Sequence, residues 1–240
     1  MDEKTEESMI KTVSIDNVIS RELLENKLSI PAGMNMPKMT TDGAFIMFHR
    51  KSDNYPLIVS PDRWPSFQNN GEIADGAAVV EGGKILVVGP TETTSLYWSS
   101  AAVSGGGTTT SDRINAMNDW SGKANTASQI TKPECQVANY APGFCAQYSR
   151  ANANGKGLTA GKWWLPALGE MLMIYANMAK INYALSFIAG AAPLTEELYW
   201  SSTEAGETGA WYILLGNGYI GGGTKNTNKI RTRPVSAFIA

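Results

Sequence analysis

Histidine is nearly absent from this chain: His49 is the only one in 240 residues. Cysteine is almost as scarce, with Cys135 and Cys145 ten positions apart and no Cys-x-x-Cys pair. Zinc centres, which draw mainly on those two residue types, are thereby excluded. The pair leaves open a disulfide or two buried free thiols, since cysteine often packs as a small hydrophobe. A Ser-His-Asp triad around His49 would need distant partners that no motif announces, so a satisfied structural or surface histidine is the simpler reading. Long apolar runs are missing too. Stretches such as Lys84 to Val88 and Trp163 to Leu168 are far too short to cross a bilayer, and no basic-then-apolar leader opens the chain. Nor is there an excess of one charge. Twenty Lys and Arg stand against 22 Asp and Glu, for a formal net charge of -2. No overall field therefore draws the chain to nucleic acid or to an anionic membrane. Hydrophobic content of 43% with 18% charged residues describes a globular chain with a real core.

Composition divides the chain into a segment over residues 1–40 and a domain over 41–240. In the first, Thr12-Val13-Ser14-Ile15 alternates like a strand, and Arg21 to Leu28 has the composition of a short helix. Ile30 to Pro37 then breaks regular structure. From Gly43 the texture changes to short strands bounded by turn residues. Ala44 to Phe48 and Lys84 to Val88 are the clearest strands, with Asp75-Gly76 and Gly82-Gly83 as hairpin turns. Two helices are expected. One runs from Ala141 to Arg150, with Pro142 in its first turn and Phe144, Cys145 and Tyr148 on one side. The other spans Pro166 to Phe187 with an apolar stripe at Leu168, Leu172, Tyr175, Met178, Ile181 and Leu185, and Gly190 beyond its end. After Pro193 strands return at Trp211 to Leu215 and Ile230 to Ile239, with Gly216 to Asn228 between them as a long polar loop. This mixture, without a βαβ rhythm, is α+β: short, mostly antiparallel strands, two helices and long polar loops.

One internal echo is present. Leu96-Tyr97-Trp98-Ser99-Ser100 recurs as Leu198-Tyr199-Trp200-Ser201-Ser202, with flanks that barely agree. Two similar strand-turn corners within one fold account for it better than a full repeat does.

Further motifs follow in order: Tyr140 to Cys145 (YAPGFC), Trp164 to Glu170 (WLPALGE), Tyr199 to Glu204 (YWSSTE), Ala210-Trp211, and the closing Lys229 to Phe238 (KIRTRPVSAF). Together they resemble the C-type-lectin-fold domains of the formylglycine-generating-enzyme-like group, and in particular the variable proteins of diversity-generating retroelements of the Bacteroides and gut-phage type. The resemblance is concentrated in the last hundred residues and does not extend to residues 1–40. It implies a C-type-lectin-like ligand-binding domain over 41–240, with a variable-type region at about 199–240.

In such proteins, template adenines are read with errors, so Asn codons give rise to Tyr, Ser, Gly, Thr, Ile, Ala, Leu or Asp. Ala205, Gly206, Thr208, Gly209, Tyr212, Leu214, Gly216, Asn217, Tyr219, Ile220, Gly222, Thr224, Asn226, Thr227 and Asn228 belong to that set and are the expected ligand-binding residues. Gly221 and Gly223 also belong to the set. Trp211, Lys225, Lys229 and Arg233 form the expected fixed frame, and Glu207 departs from the pattern. Polar loops are rich in Gly, Asn and Thr in any case, so a non-diversified relative of fixed specificity stays open beside the diversified one.

The expectation is a binding protein without catalysis, metal or cofactor. Formylglycine-type chemistry would need reactive cysteines late in the fold, and none lies between Trp163 and Ala240. Calcium-dependent lectin signatures are missing, and Asn118-Asp119-Trp120 has the letters in the wrong order. Gly105 to Gly107 and Gly221 to Gly223 lack the Lys-Ser/Thr of a phosphate loop. Glu170 reads as a helix-start or buried hydrogen-bonding group. Tyr212 and Tyr219 are the expected aromatic contacts, tolerated without loss of stability. Lys225, Lys229, Arg231 and Arg233 suggest a preference for acidic or phosphorylated ligands. The implied partner is a protein or glycan at a cell surface, with no nucleic acid, no transmembrane segment and oligomerisation left open. Location follows as cell surface or extracellular, or else a phage particle. The acidic start, Asp2-Glu3-Lys4-Thr5-Glu6-Glu7, resembles the tether of a surface lipoprotein as much as a solvated terminus.

Overall fold

A continuous apolar run builds β1, Gly43–His49, which pairs antiparallel with β2, Pro56–Val59, and with β3, Ala74–Glu81. The structure, a computed structural model, describes residues 42–238. The expected strand at 12–15, the helix at 21–28, the break at 30–37 and the end of the last strand at Ile239 lie outside them. After β3 the chain reverses through Gly82-Gly83, both at positive φ (55° and 79°), into β4, Lys84–Val88. Two positive φ values in a two-residue turn match the twist of the flanking strands, and glycine adopts them without a Cβ penalty. Asp75-Gly76 is not a turn. It lies inside β3, where the register slips by one between Met47 opposite Gly76 and Phe48 opposite Ala74, leaving Asp75 as a bulge. Glycine is needed at 76 because a Cβ there would stand 2.2 Å from the Val88 carbonyl oxygen.

The first sheet is completed by β12, Val235–Ser236, giving the order β12-β4-β3-β1-β2, antiparallel throughout. A 3-10 turn at Pro61–Arg63 and α1, Trp64–Asn69, fold back over β1, stacking Trp64 and Phe67 on Phe48. The second sheet has the order β10-β9-β8-β11-β5: Tyr219–Thr224, Gly209–Leu214, Leu198–Glu204, Ile230–Thr232 and Thr93–Leu96. Only β8 and β11 run parallel. A two-stranded ribbon, β6 (Arg150–Ala151) with β7 (Gly157–Leu158), lies apart. The result is α+β, with sheets that are almost wholly antiparallel.

The described residues hold six α-helices where two were expected. The short α2 (Arg113–Met117) and α3 (Gly122–Gln129) carry no apolar stripe long enough to read in sequence. Their ends are fixed by polar contacts instead, as where the Asp112 carboxylate accepts from the Asn115 amide at 2.8 Å. The helix at Ala141–Gln147, α4, carries Pro142 in its first turn. The expected long helix is two: α5, Leu168–Ala176, and α6, Met178–Ser186. They break at Asn177, whose buried side chain donates to Glu81 (2.9 Å) and to the Met173 carbonyl (3.0 Å). The break rotates the buried face of α5 to Leu168, Met171, Met173 and Ile174, so Tyr175 turns outward while Ile181 and Leu185 stay inside. The expected strand from Ile230 is likewise two, since Arg233-Pro234 divides β11 from β12 and sends them to different sheets.

The two Leu-Tyr-Trp-Ser-Ser copies flank β11, one through β5 and one through β8. Their indoles exchange hydrogen bonds: Trp98 Nε1 donates to the Ser201 carbonyl and Trp200 Nε1 to that of Leu96, each at 2.9 Å. Both rings are fully buried. Removing about 200 Å² of aromatic surface from water contributes about 5 kcal/mol per ring before entropy.

Candidate ligand-binding face

The centre of the second sheet's loop end is a buried ion pair. Lys225 and Glu204 have no exposed surface, with Nζ 2.5 Å from Oε2. The same ammonium donates to the carbonyls of Val103 (2.8 Å), Glu207 (2.9 Å) and Gly206 (3.0 Å), and lies 4.6 Å from the centre of the Trp98 ring. The carboxylate also accepts from the Gly105 and Gly107 amides, at 2.7 and 3.0 Å. Burying two charges is costly unless every remaining donor and acceptor is matched, and here backbone groups do the matching. These bonds tie loops 101–110 and 205–208 to residue 225 through main-chain groups, and side chains add to the hold: Asn228 Oδ1 accepts from the Thr224 amide at 2.7 Å and Thr108 Oγ1 donates to Asn125 Oδ1 at 3.0 Å. The glycine run that superficially resembles a phosphate loop thus cradles a carboxylate of its own chain, by the same physics of converging amides.

A second polar cluster pins loop 104–110 and α3 onto β8. Asp119 accepts from Thr203 Oγ1 and Asn125 Nδ2, both at 2.8 Å, and from the Ser121 amide at 2.9 Å. Asn125 in turn accepts from the Thr108 amide at 2.8 Å, and Gln129 donates to the Ser202 carbonyl at 2.7 Å. Beneath it Glu170 accepts from Ala167 N (2.8 Å) and Trp164 Nε1 (3.2 Å). Burial pushes the Glu170 carboxyl up to about 7, with the Asp119 charge adding to the rise.

The expected binding residues divide by exposure. Thr208, Gly216, Asn217, Tyr219, Gly222, Thr224, Thr227 and Asn228 are exposed, while Ala205, Gly206, Gly209, Tyr212, Leu214 and Asn226 are half-buried. Ile220 is a core residue, 6% exposed, and does not belong to a binding set. The stretch Gly216 to Asn228 is no loop, since Tyr219–Thr224 forms β10, hydrogen-bonded along β9. Its glycines make room for rings: a Cβ at Gly221 would fall 2.6 Å from the Tyr212 hydroxyl, and one at Gly223 2.7 Å from the Trp200 ring. Low apolar content suggests a loop here, but the missing side chains are what the packing requires.

The same residues also divide by place. Ala205, Gly206, Thr208, Gly209, Thr224, Asn226, Thr227 and Asn228 gather at the loop end. Leu214, Gly216, Asn217 and Tyr219 lie at the β9–β10 turn, about 17 Å away along the strand at 3.3 Å per residue. Tyr212 stands between, tilted against Trp200 (6.2 Å between centroids) and Tyr219 (6.5 Å). Burial raises its phenol above the usual tyrosine range. At the turn, Asn217 Oδ1 accepts from the Tyr219 amide (3.0 Å), and a Cβ on Gly218 would meet the Tyr175 ring at 2.8 Å. A shallow groove of about 540 Å³ opens beside it between Tyr175, Met178, Asn182, Glu196 and Leu215.

The expected basic character of the last segment is reduced by folding. Lys225 is consumed by Glu204, while Arg231 and Arg233 both pair with Glu92, at 2.9 and 3.1 Å. Lys229 lies 4.9 Å over the Tyr97 ring. The basis for a preference for acidic or phosphorylated ligands narrows to Lys229 and Arg231, because two carboxylates, Glu204 and Glu92, pair with three of the four cations. Trp211 packs into the core and donates to the Thr110 carbonyl at 2.9 Å.

Elsewhere, His49 is buried against the bulged Asp75, Nδ1 to Oδ2 at 2.7 Å, a partner that the reading of Asp75-Gly76 as a turn concealed. Burial raises the Asp75 carboxyl even with His49 beside it. Cys135 and Cys145 are unbonded and buried. Burial lifts the first thiol to about 12 and the second well above its ordinary value, which leaves both unreactive. Among the described residues no three His, Cys, Asp or Glu side chains converge as metal ligands, and no helix is long and apolar enough to cross a membrane.

No protein-family model matches the chain, and no curated protein does either. Among solved structures, a fimbrial protein from Bacteroides ovatus ATCC 8483 is similar with a TM-score of 0.44 and 16% identity. The match covers 63% of this chain and 35% of that one, so the chain spans about a third of that protein's length. At that TM-score the overlap carries no argument about fold or role.

Proposed function

We propose that the chain is a non-catalytic, adhesin-like ligand-binding protein built on a C-type-lectin-like domain. Its binding face is the loop end of the second sheet, residues 205–208 and 224–229, extended along β10 to Tyr219. The supporting observation is the way Lys225 and Glu204 hold these loops. Their ammonium and carboxylate bind backbone carbonyls and amides, so this hold does not depend on outward side chains such as Thr208 and Thr227, while Asn228 separately caps the Thr224 amide. Such a surface tolerates substitution, which is what retroelement diversification of an exposed site requires. A site for protein or glycan ligands at a cell surface is the role that follows.

The test is the DNA downstream of the codons for residues 199–240. A near-copy differing only at its adenines, beside a reverse transcriptase, is the expected result. The differences should fall on codons for exposed positions such as Thr208, Tyr219 and Thr227, and should spare Glu204, Trp211 and Lys225. With no such copy, the domain is a binding module of fixed specificity, and a glycan array returning one sugar class identifies it.

A further inference from the structure

The groove beside the β9–β10 turn differs from the loop end, because none of its lining residues is among the expected ligand-binding residues. Its volume of about 540 Å³ holds one long side chain or a small molecule. Most of the lining is apolar, with Met178 and Ala179 from the start of α6 and the buried Leu215 just after β9. Tyr175, near the end of α5, adds a ring that is 36% exposed and braced by Gly218. At the break between α5 and α6 the carbonyl end of one helix meets the amide end of the next. Their dipoles offset each other and give the groove little net field.

Polar groups in the groove are few, and its charge is of one sign. Asn182 is spent on its own chain: Oδ1 accepts from the Leu194 amide at 2.7 Å, and Nδ2 donates to the Leu194 carbonyl at 2.9 Å. Glu196 is the one charged residue of the lining; it is exposed and forms no ion pair among the described residues. The neighbouring cation on α6, Lys180, is not part of the lining and directs its ammonium to Asn177 Oδ1, at 3.1 Å. A sugar would call for several convergent donors and acceptors, which this lining does not offer. An apolar stem that ends in a positive charge suits both the walls and the carboxylate. We propose that the groove takes a lysine or arginine side chain of a partner protein, its methylenes along Met178, Ala179 and Leu215 and its cation at the Glu196 carboxylate. This site lies at the other end of the hairpin from the loop face and does not depend on diversification there.

The probes are N-acetyl-lysine amide, N-acetyl-arginine amide and the uncharged N-acetyl-norleucine amide, titrated into the full chain at low ionic strength. The Met178 methyl resonance, assigned through Met178→Leu, is the readout. At least one cationic amide should shift it saturably and bind about fivefold tighter than the norleucine amide. Glu196→Gln keeps the shape of an exposed side chain and should abolish that difference. Norleucine amide binding as tightly as the cationic amides would mean a merely apolar groove and overturns the proposal. A preference for the cationic amides that survives Glu196→Gln overturns it too, as does a Met178 methyl that no probe moves. Binding of n-hexylammonium where both cationic amides fail assigns the groove to a free amine, and binding of methyl glucoside in their place assigns it to a sugar. Either result also overturns the proposal.

Discussion

The two ends of the β9–β10 hairpin are held by different forces. At the loop end, two buried charges reach out to main-chain groups of the loops, and side chains such as Thr227 stay outside the pair, although Asn228 accepts from the Thr224 amide. At the turn end no ion takes part. Leu215 is buried, Gly218 adopts a φ of +75° with the Tyr175 ring against it, and the Asn217 side chain caps the Tyr219 amide. The difference teaches which positions can vary. A loop fixed through its backbone accepts almost any residue, whereas a turn fixed by packing accepts only residues that fit. Both ends are exposed and rich in Gly, Asn and Thr, so composition alone does not separate them.

The largest test of this contrast removes the ion. Lys225→Met leaves Glu204 buried and unpaired and frees the carbonyls of Val103, Gly206 and Glu207. A loss of about 3–5 kcal/mol in urea unfolding is expected. Lys225→Met with Glu204→Gln should recover part of it, since no uncompensated charge then remains. A loss below about 1 kcal/mol would mean that packing, and not the pair, holds the loop end.

Next in size is a pH effect beneath the same loops. The Glu170 carboxyl, raised from 4.5 to about 7, binds its proton more tightly folded than unfolded. Its contribution is therefore full below pH 4.5, declines as pH rises from 4.5 to 7, and stays lost above. The total is on the order of 3 kcal/mol. Glu170→Gln keeps an oxygen for the Ala167 amide and the Trp164 indole but does not titrate. Wild type should thus fall steadily behind this variant across that window, as followed by Tm against pH. Parallel curves would show that Glu170 is not the titrating group.

Smaller still are the glycine effects, which sharpen the contrast residue by residue. Gly218→Ala, at positive φ and against Tyr175, should cost about 1–3 kcal/mol. So should Gly223→Ala, against the Trp200 ring. Between them on the strand, Gly222→Ala meets nothing nearer than the Ala205 Cβ at 3.8 Å and should change stability by less than about 0.5 kcal/mol. Equal costs at 222 and 223 would remove the packing explanation of this glycine run.

Much of the frame was readable in the sequence. The strands from Ala44 and from Lys84, the helix behind Pro142, and Trp211 as a framework residue all follow from periodicity or from a single large side chain. The echoed pentapeptide reads as two strand-turn corners; the first copy does leave β5 at Leu96, but the second runs inside β8, Leu198–Glu204, on the other side of β11. What escaped reading has common physical causes. Asn177 breaks a helix whose apolar stripe runs on past it, because a buried side-chain amide outweighs periodicity there. Gly221 and Gly223 looked like loop because a strand that makes room for rings has no apolar pattern of its own. Asp75 and Glu204 were hidden because their partners, His49 and Lys225, lie 26 and 21 positions away. The charges of Arg231 and Arg233 read as unpaired in the sequence because Glu92 meets them only after folding.

The smallest expected effect bears most directly on the binding reading. Thr208 and Thr227 are exposed on two of the loops around Lys225, and neither side chain enters the buried pair. Replacing both with tyrosine, which suits a contact surface, should shift unfolding by less than about 0.5 kcal/mol. Tyr219→Ala belongs in the same range, since that ring is 55% exposed. Tyr212→Ala does not: its ring packs on Trp200, and about 1–2 kcal/mol should be lost, contrary to the sequence-based expectation for it. The amide spectrum of Gly105, Gly107 and Gly206 under the double tyrosine substitution is the sharper measurement. Unmoved resonances would mean that the loops keep their course while their surface changes, the property a diversified face needs. Resonances displaced throughout these loops would mean that side chains set the loop course after all, and a fixed-specificity site would then be the better description.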